Sequence, residues 1–246
     1  MLALLKRDLF ELKRNLIFYF ALFSLSPIIL YLLLAIPLSY FISVEVRYLN
    51  WSSAGIWVAC SVIVSLIGTS IRIHKLKYQT NQMEAILTAP ITNLFFLFSI
   101  LMRGLFLGMI QFLFSYFLTA FLTNEYLGLL NVLIIIIHML LALIFFSLLG
   151  ILFGLIIENT LFLIQSMLAF FILLCLGMGI FIPISSFPIS YSIILNKVPL
   201  VLLFNNIQNI IIHKEVNWVW CFLTLILSII MFCVTLIISN KVFRKI

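Results

Sequence analysis

The side chains able to cleave, transfer or ligate are sparse in this chain of 246 residues: three histidines, four cysteines and seven acids. Their spacing brings no catalytic set together. His74, His138 and His213 are too scattered for a metal site or a nucleophilic triad. Cys60, Cys175, Cys221 and Cys233 show no CxxC spacing and no adjacent histidine, so they read as small buried apolar residues. There is no GxxxxGK[ST], so the chain does not bind and hydrolyse ATP by a P-loop. An enzyme is disfavoured because no pair of catalytic groups falls at one depth, and no cofactor or metal site is assigned to the chain itself. The segment that asks for an explanation is 78–93, YQTNQMEAILTAPITN, which sets four amides, an acid and a proline between two apolar runs. Asn81 and Glu84 stand at capping-box spacing, which predicts a short helix starting at Gln82. Pro90 ends it, because the residue before a proline is pushed out of the helical region. Met83, Ile86 and Leu87 then share one side, to be buried against lipid, the chain's own bundle or another protein.

The elements around it follow from composition. With 65% hydrophobic and 9% charged residues, a soluble domain of this size would expose large apolar patches, so the chain is expected to be an all-α integral membrane protein. A bilayer core of about 30 Å needs roughly 20 apolar residues per helix. That divides the sequence into six spans near 16–42, 54–71, 94–123, 129–157, 161–182 and 219–240. They form a single transmembrane domain, 1–246. The first apolar run is too long for a signal peptide, contains Pro27 and Pro37 and lacks a small-x-small cleavage site, so it reads as a retained span. With the N-terminus inside, eleven Lys and Arg residues lie on the cytoplasmic side and three, Arg47, Lys197 and Lys214, lie outside. This bias predicts both termini in the cytoplasm of a multi-pass plasma-membrane protein, the inner membrane in a Gram-negative cell. It also makes nucleic acid the weaker explanation of the net charge of +7. Trp51, Trp218 and Trp220 then fall at the outer ends of spans, at headgroup level.

Between the spans, residues 1–15 place Leu2, Leu5, Leu9 and Leu12 on one helical face, as an interfacial helix would. Residues 72–93 form the longest cytoplasmic segment between spans. Glu158-Asn159-Thr160 makes a tight inner turn, where Asn159 or Thr160 can cap the fifth helix and Glu158 sits by its positive end. The outer segment 183–217 is too apolar for an ordinary loop and is broken by Pro183, Pro188 and Pro199. Two short re-entrant helices are expected there. A seventh span over 193–212 would bury Asn196, Lys197, Pro199, Asn205, Asn206, Gln208 and Asn209 at a high cost. Within the spans, His138, Gln111 and Gln165 are candidates for a pathway or for interhelical hydrogen bonds. Gly104/Gly108 and Gly150/Gly154 are small-xxx-small pairs that favour close packing and only weakly a dimer face.

QMEAILTAPI followed by SILMRGLFLGMIQ resembles the signature of the ABC-2 type transporter permeases, an acid, two apolar residues and a proline linking spans two and three. FSLLGILFGLIIENTLFLIQSMLAFFILLCLGMGIFIPISSFP and ILNKVPLVLLFNNIQNII follow in the family's order, so that the resemblance covers about residues 50–212. It departs in the amides Gln79, Asn81 and Gln82, where charged or glycine-rich residues are common, and in a proline displaced to Pro199. The resemblance implies a homodimeric permease seated on a separate P-loop ATPase that carries ATP and Mg, exporting polysaccharide, lipid-linked glycan, lipid or drug. It implies that 72–93 holds a cytoplasmic coupling helix, in which Asn81, Met83, Glu84, Ile86, Leu87 and Pro90 contact the ATPase, with Glu158 as a second contact. Pro183, Pro188 and Pro199 would shape the outer gate, with membrane lipids as the remaining partners. The alternatives are a haem-export-type permease of cytochrome maturation and an ATPase-independent secondary transporter, for which His138 is the one midplane ionisable candidate.

Overall fold

The computed structural model describes residues 10, 13–42, 47–80, 83, 92–124 and 126–243. Of these, 86% are helical and none lies in a strand, so the fold is all-α. Six helices are long and apolar enough to cross a membrane: α1 Leu16–Ser39, α2 Tyr48–Gln79, α3 Asn93–Thr123, α4 Leu129–Ile156, α5 Thr160–Gly177 and, after two shorter helices α6 Ile189–Leu195 and α7 Pro199–Ile212, α8 Trp218–Phe243. Residues 1–9 and 11–12 of the expected interfacial helix, and 81–82 with 84–91 of the expected surface helix, fall outside the described residues.

The helix ends have local causes. Thr92 caps α3 by accepting from the Phe95 N–H, and α3 stops at Asn124, whose φ of 57° is a left-handed turn that asparagine tolerates. Asn159 caps α5, its Oδ1 accepting from the N–H groups of Leu161 (2.8 Å) and Phe162 (3.4 Å). α5 ends sooner than its apolar run suggests. It widens into a π-turn at Leu173–Gly177, and Gly179 then takes a φ of 77° that redirects the chain. In α1, Pro27 lacks the N–H that would bond the Phe23 carbonyl, and the helix widens into a π-turn at Tyr31–Ala35.

α2 is the centre of the bundle. Of its apolar stretch 72% is buried, against 17% in α1 and 22% in α5 and in α8. It also extends beyond both ends of the span read from hydropathy, 54–71, and its Ser52, Ser53, Ser61, Ser65, Thr69 and Ser70 lie buried. Their hydroxyls bond mostly back to carbonyls of their own helix, as from Ser61 to Trp57 O (2.5 Å) and from Thr69 to Ser65 O (2.9 Å), so none of these hydroxyls is stranded. Ser65 and Ser147 also share a hydrogen bond of 2.6 Å between α2 and α4.

Small residues let backbones meet around α2. An added Cβ at Gly150 would lie 2.4 Å from Leu66 O, and one at Gly154 would lie 2.4 Å from Ser70 O. Gly104 faces Ser147 and Thr69, while Gly108 faces Leu143 and Ser65. Both small-xxx-small pairs therefore serve the packing of α2, α3 and α4 within the chain. Trp51 lies at a helix end, as its position suggests, but its ring packs inward against Tyr48 at 5.6 Å and is 6% exposed.

Residues 178–188 are the irregular part. Ile180 and Phe181 are wholly buried, and the carbonyls around them find side-chain donors: Gln208 Nε2 to Gly179 O (3.3 Å) and Ile180 O (3.1 Å), and the Tyr48 hydroxyl to Phe181 O (2.5 Å). Backbone this deep in an apolar bundle has no water to turn to, so a buried glutamine and tyrosine supply what a helix would have supplied. α7 spans about 21 Å at 1.5 Å per residue, short of a bilayer core. Its Phe204 stacks on Phe146, past the middle of α4, while Ile211 borders Asn50 and Thr123 at the ends of α2 and α3. α7 thus begins beside the middle of the bundle and ends at its edge.

Candidate functional site

At one end of the bundle, the last turns of α2 hold the turn between α4 and α5. The π-turn Lys75–Gln79 aims Lys77 Nζ and the Tyr78 hydroxyl at Leu155 O, at 2.9 and 3.0 Å, and His74 Nε2 donates to Glu158 O at 3.0 Å. Leu155 lies in the last turn of α4, where carbonyls have no helical partner, and the Lys77 charge also suits the negative end of the helix. Lys77 further donates to the Tyr78 hydroxyl and lies 4.3 Å from its ring centre. The Glu158 side chain is exposed. Asn93 Nδ2 donates to Asn240 Oδ1 (3.0 Å), tying the start of α3 to the end of α8.

Of the residues read as contacting an ATPase, Asn81, Glu84, Ile86, Leu87 and Pro90 lie outside the described residues. Met83 is 1% exposed and packs into a cluster of the chain's own bundle with Ile73, Leu76, Phe96, Leu97 and Leu155. At the other end, Pro183 is buried, Pro188 is exposed at the head of α6, and Pro199 occupies the first turn of α7, where its missing N–H costs nothing. The structure does not gather the three prolines with Met83 and Glu158 into one site.

His138 sits at the head of a polar network. Its Nδ1–H donates to Ile134 O (2.8 Å), which leaves Nε2 to accept from Asn206 Nδ2 (2.8 Å) and the Cys221 thiol (3.1 Å). Asn206 also donates to Asn217 O (2.9 Å) and accepts from the Asn217 N–H (3.0 Å), so one side chain joins α4, α7 and the approach to α8. Cysteine, histidine and asparagine are the types of a nucleophilic trio. Here, however, thiol and amide converge on one ring nitrogen while the other is spent on a backbone carbonyl, and His138 is wholly buried. A base relay needs the nucleophile and the orienting group on opposite nitrogens. The arrangement is a packing network, and among the described residues no three His, Cys, Asp or Glu side chains gather as metal ligands.

Gln111 answers Pro27. Its Nε2 donates to Phe23 O (3.2 Å), the carbonyl that Pro27 leaves without a helical partner, and to the hydroxyls of Ser26 and Ser115 (3.1 Å each). Gln111→Leu is expected to cost about 1–3 kcal/mol by stranding that carbonyl. In a Pro27→Ala background, where residue 27 can donate to Phe23 O itself, the same substitution should cost less than half as much in a thermal melt. Equal costs in both backgrounds would sever the link between the two residues. Gln165 behaves otherwise. It is exposed on α5 and makes no side-chain hydrogen bond among the described residues.

The sequence reading gave Tyr48, His74, Lys77, Asn206 and Gln208 none of the hydrogen-bonding roles they hold in the structure. The signal for the last two was present as amides on a short apolar helix, where they registered as an argument against a seventh span and not as partners for irregular backbone.

The fold is consistent with a multi-pass membrane protein: six membrane-length apolar helices, of which α2 is the most buried, with partly irregular chain packed into one end. No family model matches the chain, and no curated protein and no solved structure matches it.

Proposed function

We propose that this chain is the membrane-spanning permease subunit of an ATP-driven exporter of the ABC-2 type. It works as a homodimer with a separate P-loop ATPase, carrying polysaccharide, lipid-linked glycan, lipid or drug out of the cell, with both termini in the cytoplasm. The observation that carries the reading is the clamp of His74, Lys77 and Tyr78 on the α4–α5 turn. It makes the last turns of α2, which lead into residues 80–92, and the Glu158 turn one mechanical unit at the basic, cytoplasmic end. The other end of α2 is fixed to the irregular outer segment, through Tyr48 and through Gly55, which closely approaches Ile180 O. A rigid, central α2 therefore offers a path from an ATPase pressing on residues 80–92 to the outer segment, whose short α7 serves as a re-entrant gate helix. Gln165 supports the dimer, since an unpaired amide on an apolar helix is costly against hydrocarbon and is better placed against a second copy or the translocation path.

Glu84→Ala combined with Leu87→Asp tests the coupling. The variant is expected to insert normally while ATP hydrolysis by the complex no longer drives export. Unchanged ATPase association and export would remove the reading. Export that collapses with an ionophore while ATP persists would point instead to the secondary transporter.

A further inference from the structure

Between the amide face of α7 and the start of α8 lies an open cleft of about 610 Å3, within the range of roughly 300–1,000 Å3 for small-molecule sites. We propose that this cleft binds a neutral, hydroxyl-rich ligand, a glycan segment. The inference deepens the exporter reading, from which it takes only the placing of this end of the bundle outside the cell.

The lining chemistry selects the class. Asn205 and Asn209 stand one helical turn apart on α7, and their side-chain amides make no hydrogen bond among the described residues. Each amide offers donors and an acceptor together, as a sugar hydroxyl does, so vicinal hydroxyls can be bridged from one face. Glu215 adds an acceptor, as carboxylates do for paired hydroxyls. Trp218 and Trp220 border the same space, and Trp218 is 49% exposed, giving apolar ring surface for the C–H face of a pyranose. No lysine or arginine lines the cleft, and its one charged lining group is the acid Glu215, which disfavours phosphate and other anionic headgroups.

The cleft is built on a fixed wall. Asn206, 3% exposed, is held by His138 and by its two bonds to Asn217, and Asn217 Oδ1 accepts from the Val219 N–H at the head of α8. The network described above thereby acquires a purpose: it sets the spacing between the free amides of α7 and the indoles of α8, so that little ordering remains to be done on binding.

The experiment uses the full chain without any ATPase, in nanodiscs of phosphatidylglycerol prepared free of sugar-headed detergent. The labelled nanodiscs are applied to an array of neutral glycans, and the best binders are titrated while tryptophan emission is followed. The other two tryptophans, Trp51 and Trp57, are buried, so an emission change reports on Trp218 and Trp220. At least one glycan is expected to bind saturably and to shift emission. Asn205→Ala with Asn209→Ala should weaken it at least tenfold while the melting temperature holds. Silence across the array overturns the proposal, as does binding indifferent to the two asparagines, or phosphocholine saturating the cleft more tightly than every glycan. Because no ATPase is present, failure here leaves the exporter reading standing, and failure of ATPase coupling leaves glycan binding measurable.

Discussion

Gly150→Ala is expected to destabilise the folded chain by about 1–3 kcal/mol, the range for forcing an extra methyl group into a packed core. The new Cβ would lie 2.3 Å from Thr69 Oγ1 and 2.4 Å from Leu66 O. The hydroxyl can rotate away, but the carbonyl belongs to the backbone of α2 and moves only if the helices separate. Gly68→Ala supplies the contrast. Its Cβ would meet only Leu107 Cδ1 at 3.4 Å, an ordinary contact, and a glycine within a helix costs roughly 1 kcal/mol relative to alanine. Gly68→Ala should therefore be neutral or stabilising, and Gly150→Ala clearly destabilising although it gains the same propensity. Melting followed by fluorescence-detected size exclusion reads both signs in one experiment. A Gly150→Ala protein melting at or above the parent would show that α2 and α4 do not approach as closely as described.

The same closeness explains what the sequence could and could not disclose. Apolar length and the breaks between runs located the six membrane-length helices, and the pair Asn159-Thr160 announced a cap that Asn159 makes, because both depend on residues near one another in the chain. The true length of α2 was hidden. Asn50, Ser52 and Ser53 at one end and the basic run from Arg72 at the other read as the limits of a span, whereas the helix continues through both. The end of α5 was hidden for the opposite reason, since its apolar run continues past Gly177 into irregular chain whose carbonyls are satisfied by Tyr48 and Gln208. Tyr48 lies 133 positions from Phe181, and no local pattern records such a pairing. The small-residue pairs showed that close packing existed without showing with what; the partner proves to be α2 for both pairs, and α4 as well for Gly104 and Gly108.

Asn206→Ala is the second substitution expected to have a large effect, and its size follows from who is left without a partner. The side chain is 3% exposed and takes part in three hydrogen bonds, to His138 Nε2, Asn217 O and the Asn217 N–H. Stranding three buried groups at about 1–3 kcal/mol each would exceed what most domains can lose. Two features reduce that sum: Asn217 is exposed at the cleft, where water can replace the lost amide, and His138 Nε2 keeps the Cys221 thiol. A loss of about 2 kcal/mol remains, from one hydrogen bond to a fully buried ring and from the space the amide leaves. Because the effect runs through His138, a double-mutant cycle with His138→Ala should show coupling of about 1 kcal/mol or more, beyond the additivity of independent sites. Cys221→Ala should cost less, since the Asn206 amide continues to occupy Nε2. Strictly additive losses at positions 138 and 206 would mean that the network does not hold α4 to α7, and that the wall of the cleft is set by apolar packing alone.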